Sequence, residues 1–203
     1  VVTTGVAATG YNLYIDDGST GTPSTLVTCS GAAALDTTCT ASGLTGGLTY
    51  SFKVSALSTA GESDASSVLA QSTSPAAVAG SMVFSSVTMT SMALTWTAPS
   101  GAAPTGYIVY RDDGDASAMP TPSIVAYDGT DSAALTAAVT GLIGGTTYTF
   151  HITALSEAGV SDVGDESTQS TSPATPLGLS SVTQTSTSIS LSWSASVVSS
   201  GGS

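Results

Sequence analysis

The chain contains two copies of one long segment, and this internal repeat restricts its fold more than any other feature. The stretch GLTGGLTYSFKVSALSTAGESD, which begins at Gly43, returns from Gly141 as GLIGGTTYTFHITALSEAGVSD. The stretch QSTSPA occurs at Gln71 and again, unchanged, at Gln169, which is 98 positions later. GYNLYIDDG near the N-terminus has a counterpart in GYIVYRDDG. A fixed period of this length predicts that each copy is one small domain.

A third, partial copy lies near the C-terminus. The stretch SSVTMTSMALTWTAPS ends at Ser100, and its counterpart SSVTQTSTSISLSWSAS ends at Ser196. VVTTG opens the sequence and VVSSGGS closes it, and Val1 and Val197 are 196 positions apart, twice the period. The chain is therefore expected to be a window on a longer periodic array. Its expected parts are the C-terminal part of a domain that lacks its first two strands (1–76), a complete domain (77–174), and the first two strands of a further domain (175–203).

The apolar residues of each copy alternate with polar ones, as in a β-strand with one buried face. SMALTWTA places Met92 and Leu94 on one face, and TYTFHITAL does the same with Phe150 and Ile152. Asp-Gly pairs and prolines separate such runs about every ten residues, and no segment has a sustained helical stripe. About seven short strands in one repeat predict a two-sheet antiparallel sandwich.

These motifs together resemble the fibronectin type III module, in the version common in bacterial and other non-animal secreted proteins. The resemblance rests on a tryptophan, then GYxVYRDG, then GL with a tyrosine six residues after the leucine, and it covers essentially the whole chain. It implies an all-β chain of tandem immunoglobulin-like (fibronectin type III) antiparallel β-sandwiches. It also implies a structural core that includes Trp96 and Trp193 in the second strands, and Leu44 with Tyr50 and Leu142 with Tyr148 in the tyrosine corners. The module serves as a spacer, an adhesive surface or an enzyme appendage, so the resemblance does not select among these roles.

The first unit departs from the family pattern because residues 1–76 contain no counterpart of the first two strands or of their tryptophan. Alone, such a unit would expose an apolar sheet face and an unpaired edge. Either a preceding covalent repeat or segment 175–203 of a neighbouring copy could supply the strands. Both arrangements predict head-to-tail, heterologous contacts that propagate into a fibre.

Charge and composition exclude several classes of function. The formal net charge is -12, and the chain has two basic residues, so neither nucleic acid nor an anionic membrane surface is expected as a partner. The hydrophobic runs are too short to span a membrane, so no membrane insertion of this segment is expected. Nucleophilic catalysis needs a base beside the nucleophile, and the chain has one histidine. The sequence therefore predicts no enzyme, no catalytic residue, no cofactor and no metal ligand. The acidic turns DDG at 16–18 and DDGDAS at 112–117 leave calcium as an alternative.

Cys29 and Cys39 are the only cysteines, and they flank a hairpin-like stretch. Alignment on the repeat places them opposite Tyr127 and Ala137, so a cross-strand disulfide would replace a large and a small side chain. A disulfide is predicted, and it suits an oxidising compartment; two free buried thiols are the alternative.

The tripeptide TPS occurs in the same loop of both units. Its hydroxyl residues, Thr22 and Ser24 in the first unit and Thr121 and Ser123 in the second, are candidate O-glycosylation sites. A rigid polar loop explains them equally well. Glycans are thus a candidate partner beside other copies of the chain.

The sequence favours a structural subunit of an extracellular fibre or cell-surface filament, built from head-to-tail β-sandwiches. One alternative is a spacer stalk of an adhesin or receptor ectodomain. Another is an accessory module of a secreted polysaccharide-degrading enzyme.

Overall fold

The structure is a computed structural model that describes residues 6–19, 21–28, 35–112, 114 and 124–195. Within these ranges every regular element is a β-strand, and every strand pair with an assigned register is antiparallel. The all-β prediction is therefore confirmed. The strands are β1 (Gly10–Ile15), β2 (Thr25–Leu26), β3 (Thr49–Ser58), β4 (Gly61–Glu62), β5 (Leu69–Ser72), β6 (Val83–Ser85), β7 (Ser91–Thr95), β8 (Gly106–Arg111), β9 (Ile124–Gly129), β10 (Thr136–Thr140), β11 (Thr147–Ser156), β12 (Gly159–Val160), β13 (Ser167–Ser170), β14 (Leu177–Gln184) and β15 (Ile189–Ser194). They belong to two compact units, the first formed mainly by residues 6–76 and the second mainly by residues 77–195.

The second unit contains two sheets with a core between them. One sheet has the strand order β10-β7-β6, and the other has the order β12-β11-β8-β9, with β13 also paired to β11. The alternation read from the sequence places side chains of β7 and of β11 in the same core, where Leu94 and Phe150 are fully buried. Each such side chain contributes about 1.5–3 kcal/mol on burial.

Aromatic rings fill the wide part of this core. The ring of Trp96 meets that of Tyr107 edge-on, with the centroids 5.4 Å apart, and lies 6.1 Å from that of Tyr127. The ring of Phe150 is tilted against that of Phe84, and the two ring centroids are 5.3 Å apart. Such tilted and edge-on arrangements are the favourable ones for aromatic pairs. The tryptophan therefore closes the core between the two sheets.

Both units contain a tyrosine corner. The buried hydroxyl of Tyr148 accepts a hydrogen bond from the backbone N–H of Ile143 at 2.9 Å, and that of Tyr50 accepts one from Thr45 at the same distance. Leu142 is buried, whereas Leu44 is half-buried. Because the ring is buried while its polar end is satisfied, the corner fixes the entry of the chain into β3 and β11.

The first unit contains one sheet, with the order β2-β1-β3-β4 and with β5 also paired to β3. In its centre Leu13 lies opposite Val54, and Ile15 lies opposite Phe52. The described residues of this unit form no second sheet. In particular residues 35–48, whose counterparts in the repeat include β10, contain no strand.

Strands β14 and β15 form a two-stranded sheet with each other, here called the terminal hairpin. Every residue of both strands is exposed. A lone hairpin is at best marginally stable in water, since it has no second layer against which to bury its apolar residues.

Candidate functional site

The first part of the candidate site is a sheet surface of the first unit, here called the open face. It consists of five inward positions of β1 and β3, namely Tyr11, Leu13, Phe52, Val54 and Ala56, which lie beside the buried inward residues Ile15 and Tyr50. Their counterparts in the second unit, Tyr107, Val109, Phe150, Ile152 and Ala154, are each at most 1% exposed. By contrast Tyr11 is 42% and Val54 is 40% exposed, and the other three are half-buried. These positions are thus fully covered in the second unit, whereas the described residues of the first unit leave them partly exposed.

The second part of the site is the apolar row of β15. Ile189, Leu191 and Trp193 are 64%, 53% and 62% exposed. The corresponding residues of β7 and the position after it, Met92, Leu94 and Trp96, are 2%, 0% and 7% exposed. The terminal hairpin therefore carries counterparts of the side chains that cover the sheet of the second unit, but its own side chains are exposed.

The turn of the terminal hairpin reproduces the β6–β7 turn in detail. The backbone N–H of Ser188 donates to the hydroxyl of Thr185 at 3.0 Å, as that of Ser91 donates to Thr88 at 3.0 Å. The paired hydroxyls lie 2.8 Å and 2.7 Å apart. Because these bonds are local, the turn of the terminal hairpin has the same conformation as the β6–β7 turn without contact with another sheet.

The predicted core residues divide between buried and exposed positions. Trp96, Tyr50, Leu142 and Tyr148 are buried, Leu44 is half-buried, and Trp193 is exposed within this chain. That Trp193 enters a core thus stays a prediction.

The other predicted sites lie partly outside the described residues. Cys29, Thr121 and Ser123 lie outside the described residues. Cys39 is exposed, and its pairing with Cys29 stays a prediction. Thr22 and Ser24 are exposed on either side of buried Pro23, which is compatible with modification and with a rigid loop alike.

The acidic turn of the first unit is a structural feature. The carboxylate of Asp16 is buried and accepts hydrogen bonds from the backbone N–H groups of Ser51 at 3.0 Å and Gly18 at 3.1 Å. These bonds, that of Ser51 above all, hold the pKa of Asp16 below its usual value. Asp112 binds the N–H groups of Thr149 and Gly114 in the same way. No cluster of three potential metal ligands occurs among the described residues, and most of the candidate calcium turn at 112–117 lies outside them.

The bonds of Asp16 make the stability of the first unit depend on pH. Its folded-state pKa is depressed below an unfolded value of about 3.9, so its stabilising effect is full above that value and is lost as the pH falls through the folded-state pKa. We expect Asp16→Asn to unfold at lower urea concentration near neutral pH and to lose less stability on acidification than the parent. Urea midpoints measured from about pH 6 to pH 2 test this, with exposed Asp64→Asn as the control. An unchanged acid slope in Asp16→Asn would contradict it.

A polar cluster on the outward side of β1 and β3 was not evident from the sequence. Glu62 accepts hydrogen bonds from Tyr14 at 2.7 Å, from Asn12 at 3.2 Å and from Ser55. The hydrogen bond from Ser55 is the strongest of the causes that lower the pKa of Glu62, and the bonds from Tyr14 and Asn12 add to it. In turn, the hydrogen bond to the Glu62 carboxylate raises the pKa of Tyr14. The only histidine of the sequence, His151, lies on β11, so the cluster lacks the base that would activate the serine. It ties β1, β3 and β4 together.

Comparisons with known proteins agree with this architecture. The family model of the fibronectin type III domain matches residues 76–171. The predicted fold class, antiparallel β-sandwiches of the fibronectin type III class, is thereby confirmed. Domains of this family are typically non-catalytic structural or spacer modules, and they are common in extracellular or surface proteins. No curated protein matches the chain. Within the described residues no helix is long and apolar enough to cross a membrane.

Several solved structures are similar to the chain. A two-domain fibronectin type III segment of chicken tenascin is 19% identical, with 83% of this chain and 87% of that chain covered and a TM-score of 0.46. A structure described as a myokine is 16% identical, covers 49% of this chain and 99% of its own, and has a TM-score of 0.40. One of titin kinase and its flanking domains is 27% identical over 48% of this chain and 17% of that chain, also with a TM-score of 0.40.

Proposed function

We propose that the chain is a structural subunit or repeat of an extracellular fibre or cell-surface filament, in which β-sandwiches follow one another head to tail. The observation that supports this is the presence of two matching surfaces on one chain. The described residues of the first unit form no second sheet over the open face, and the terminal hairpin carries counterparts of the residues that cover the equivalent sheet in the second unit.

The two surfaces differ from each other, so contact between them is heterologous. A heterologous contact leaves one unused surface at each end of the assembly. It therefore either closes into a ring or propagates along one direction. A preceding repeat in a longer covalent chain would place the same strands on the open face. Either connection yields a row of sandwiches with a repeat of two domains.

The surface composition fits an exposed structural role. The chain has few charged residues and is rich in hydroxyl side chains, and it contains two sites for a protease that cuts after lysine or arginine, Lys53 and Arg111. Thr22 and Ser24 would offer exposed positions for sugars if the protein passes through a secretory pathway.

Electron microscopy of the native material tests this function. We expect helical or linear fibres with an axial repeat of two sandwich lengths. Discrete, non-associating particles of one or two domains would contradict the proposal, and a row of these sandwiches that ends in a separate binding head would favour the stalk alternative.

A further inference from the structure

We propose that the open face binds the terminal hairpin of a second copy of this chain, so that the sandwich at each junction is assembled from two chains. This inference rests on the proposed function and names the contact through which its subunits are joined. The occupant is indicated by the chain itself, because the terminal hairpin repeats the strands that cover the equivalent sheet in the second unit.

The internal repeat predicts the register of the contact. In the second unit β7 pairs with β10, so that Met92 lies opposite Val139, Leu94 opposite Ala137, and Ala93 opposite Ala138. Transferring these pairs by the repeat places β15 of one copy along residues 38–42 of the next. The expected pairs are Ile189 with Ala41, Leu191 with Cys39, and Ser190 with Thr40.

The segment that would receive β15 is residues 38–42. These residues form no strand, although their counterparts in the second unit form β10. Since β10 is paired to β7, the difference follows from the presence or absence of that neighbour. Addition of β15 would supply backbone hydrogen bonds to this segment and close the second sheet of the first unit.

The charge distribution permits this contact between copies of an acidic chain. Each copy has a formal net charge of -12, which opposes association in general. Residues 177–194 contain no charged side chain, and the five residues of the open face are uncharged. The contact therefore brings together two apolar surfaces without burying a charge, and the formed turn of the hairpin reduces the ordering cost of binding.

The first experiment changes two neighbouring residues that lie on opposite faces of β15. Leu191→Asp would bury a charge in the contact, whereas Ser190→Asp adds the same charge on the outward face that Ala93 occupies in the second unit. We expect the parent and Ser190→Asp to form oligomers longer than dimers in sedimentation velocity as concentration rises. Leu191→Asp should weaken association by about 100-fold or more.

The second experiment tests the head-to-tail pairing by mixing. Val54→Asp blocks the open face and leaves the hairpin intact, and Thr49→Asp on the outward side of β3 is its control. Val54→Asp and Leu191→Asp should each be monomeric alone, and an equimolar mixture should form a one-to-one dimer and nothing longer. In that dimer the hairpin of Val54→Asp occupies the open face of Leu191→Asp.

The outcomes separate this inference from the proposed function. A mixture that stays monomeric, or equal association of Leu191→Asp and Ser190→Asp, would overturn hairpin donation. If native fibres are still seen by microscopy, the fibre function then stands on covalent repeats. A parent chain that stops at closed dimers would retain hairpin donation and contradict the fibre.

Discussion

Replacing Trp96 by alanine is expected to lower the free energy of unfolding of the second unit by about 3–5 kcal/mol, because the substitution leaves a large cavity in a packed core. Trp96 is buried between the sheets and contacts Tyr107 and Tyr127. The same substitution at Trp193 should change the stability of the monomer by less than about 0.5 kcal/mol, since that ring is exposed. Urea unfolding followed by circular dichroism, at a dilution where the chain is monomeric, measures both values.

The Trp193→Ala variant is also compared with the parent chain for self-association at high protein concentration. Trp193→Ala should then lose self-association, while the parent chain associates. If Trp193→Ala destabilised the dilute monomer as much as Trp96→Ala does, the terminal hairpin would already be packed in a core of its own chain. That result would contradict the claim that the terminal hairpin is available to cover the open face of another copy or repeat.

A circular permutation is expected to give the second large effect. Placing residues 175–196 before residue 1 supplies the terminal hairpin to the first unit within one chain. We expect the permuted protein to be monomeric, with the first unit stabilised by several kcal/mol, because each apolar side chain that becomes buried contributes about 1.5–3 kcal/mol before ordering costs. Urea unfolding and sedimentation velocity of the permuted and parent chains test this.

The permuted chain has a matched control in the substitutions of β15. Introducing Leu191→Asp into it should remove most of the added stability, whereas Ser190→Asp should retain it. A permuted chain that unfolds like the parent would show that the hairpin does not complete the first sandwich.

The sequence predicted the strands because their information is local, since alternation of residues such as Met92 and Leu94 defines one face of a strand. The tyrosine corners were implied by the resemblance to the fibronectin type III module, and Tyr148 accepts its hydrogen bond from Ile143, only five residues away. The same alternation occurs in β15. It shows which residues share a face, but it does not show whether another sheet covers that face.

Two other features could not be predicted because they depend on partners distant in the chain. Glu62 meets Asn12 and Tyr14 across about 50 residues, through the pairing of β1, β3 and β4. Residues 38–42 form no strand although their counterparts form β10, because β10 needs β7 as its neighbour. Strand formation at a sheet edge is thus a property of the pair and not of one segment.

The central claim is that a hairpin equivalent to β14–β15 covers the open face of the first unit. The environment of Trp193 in the assembled material, determined from a cryo-electron microscopy map that resolves side chains, tests it most directly. The account predicts that the ring lies edge-on against Tyr11 of the adjoining copy or repeat, as Trp96 lies 5.4 Å from Tyr107. A map in which Trp193 faces solvent, while Tyr11 and Val54 stay uncovered, would contradict it.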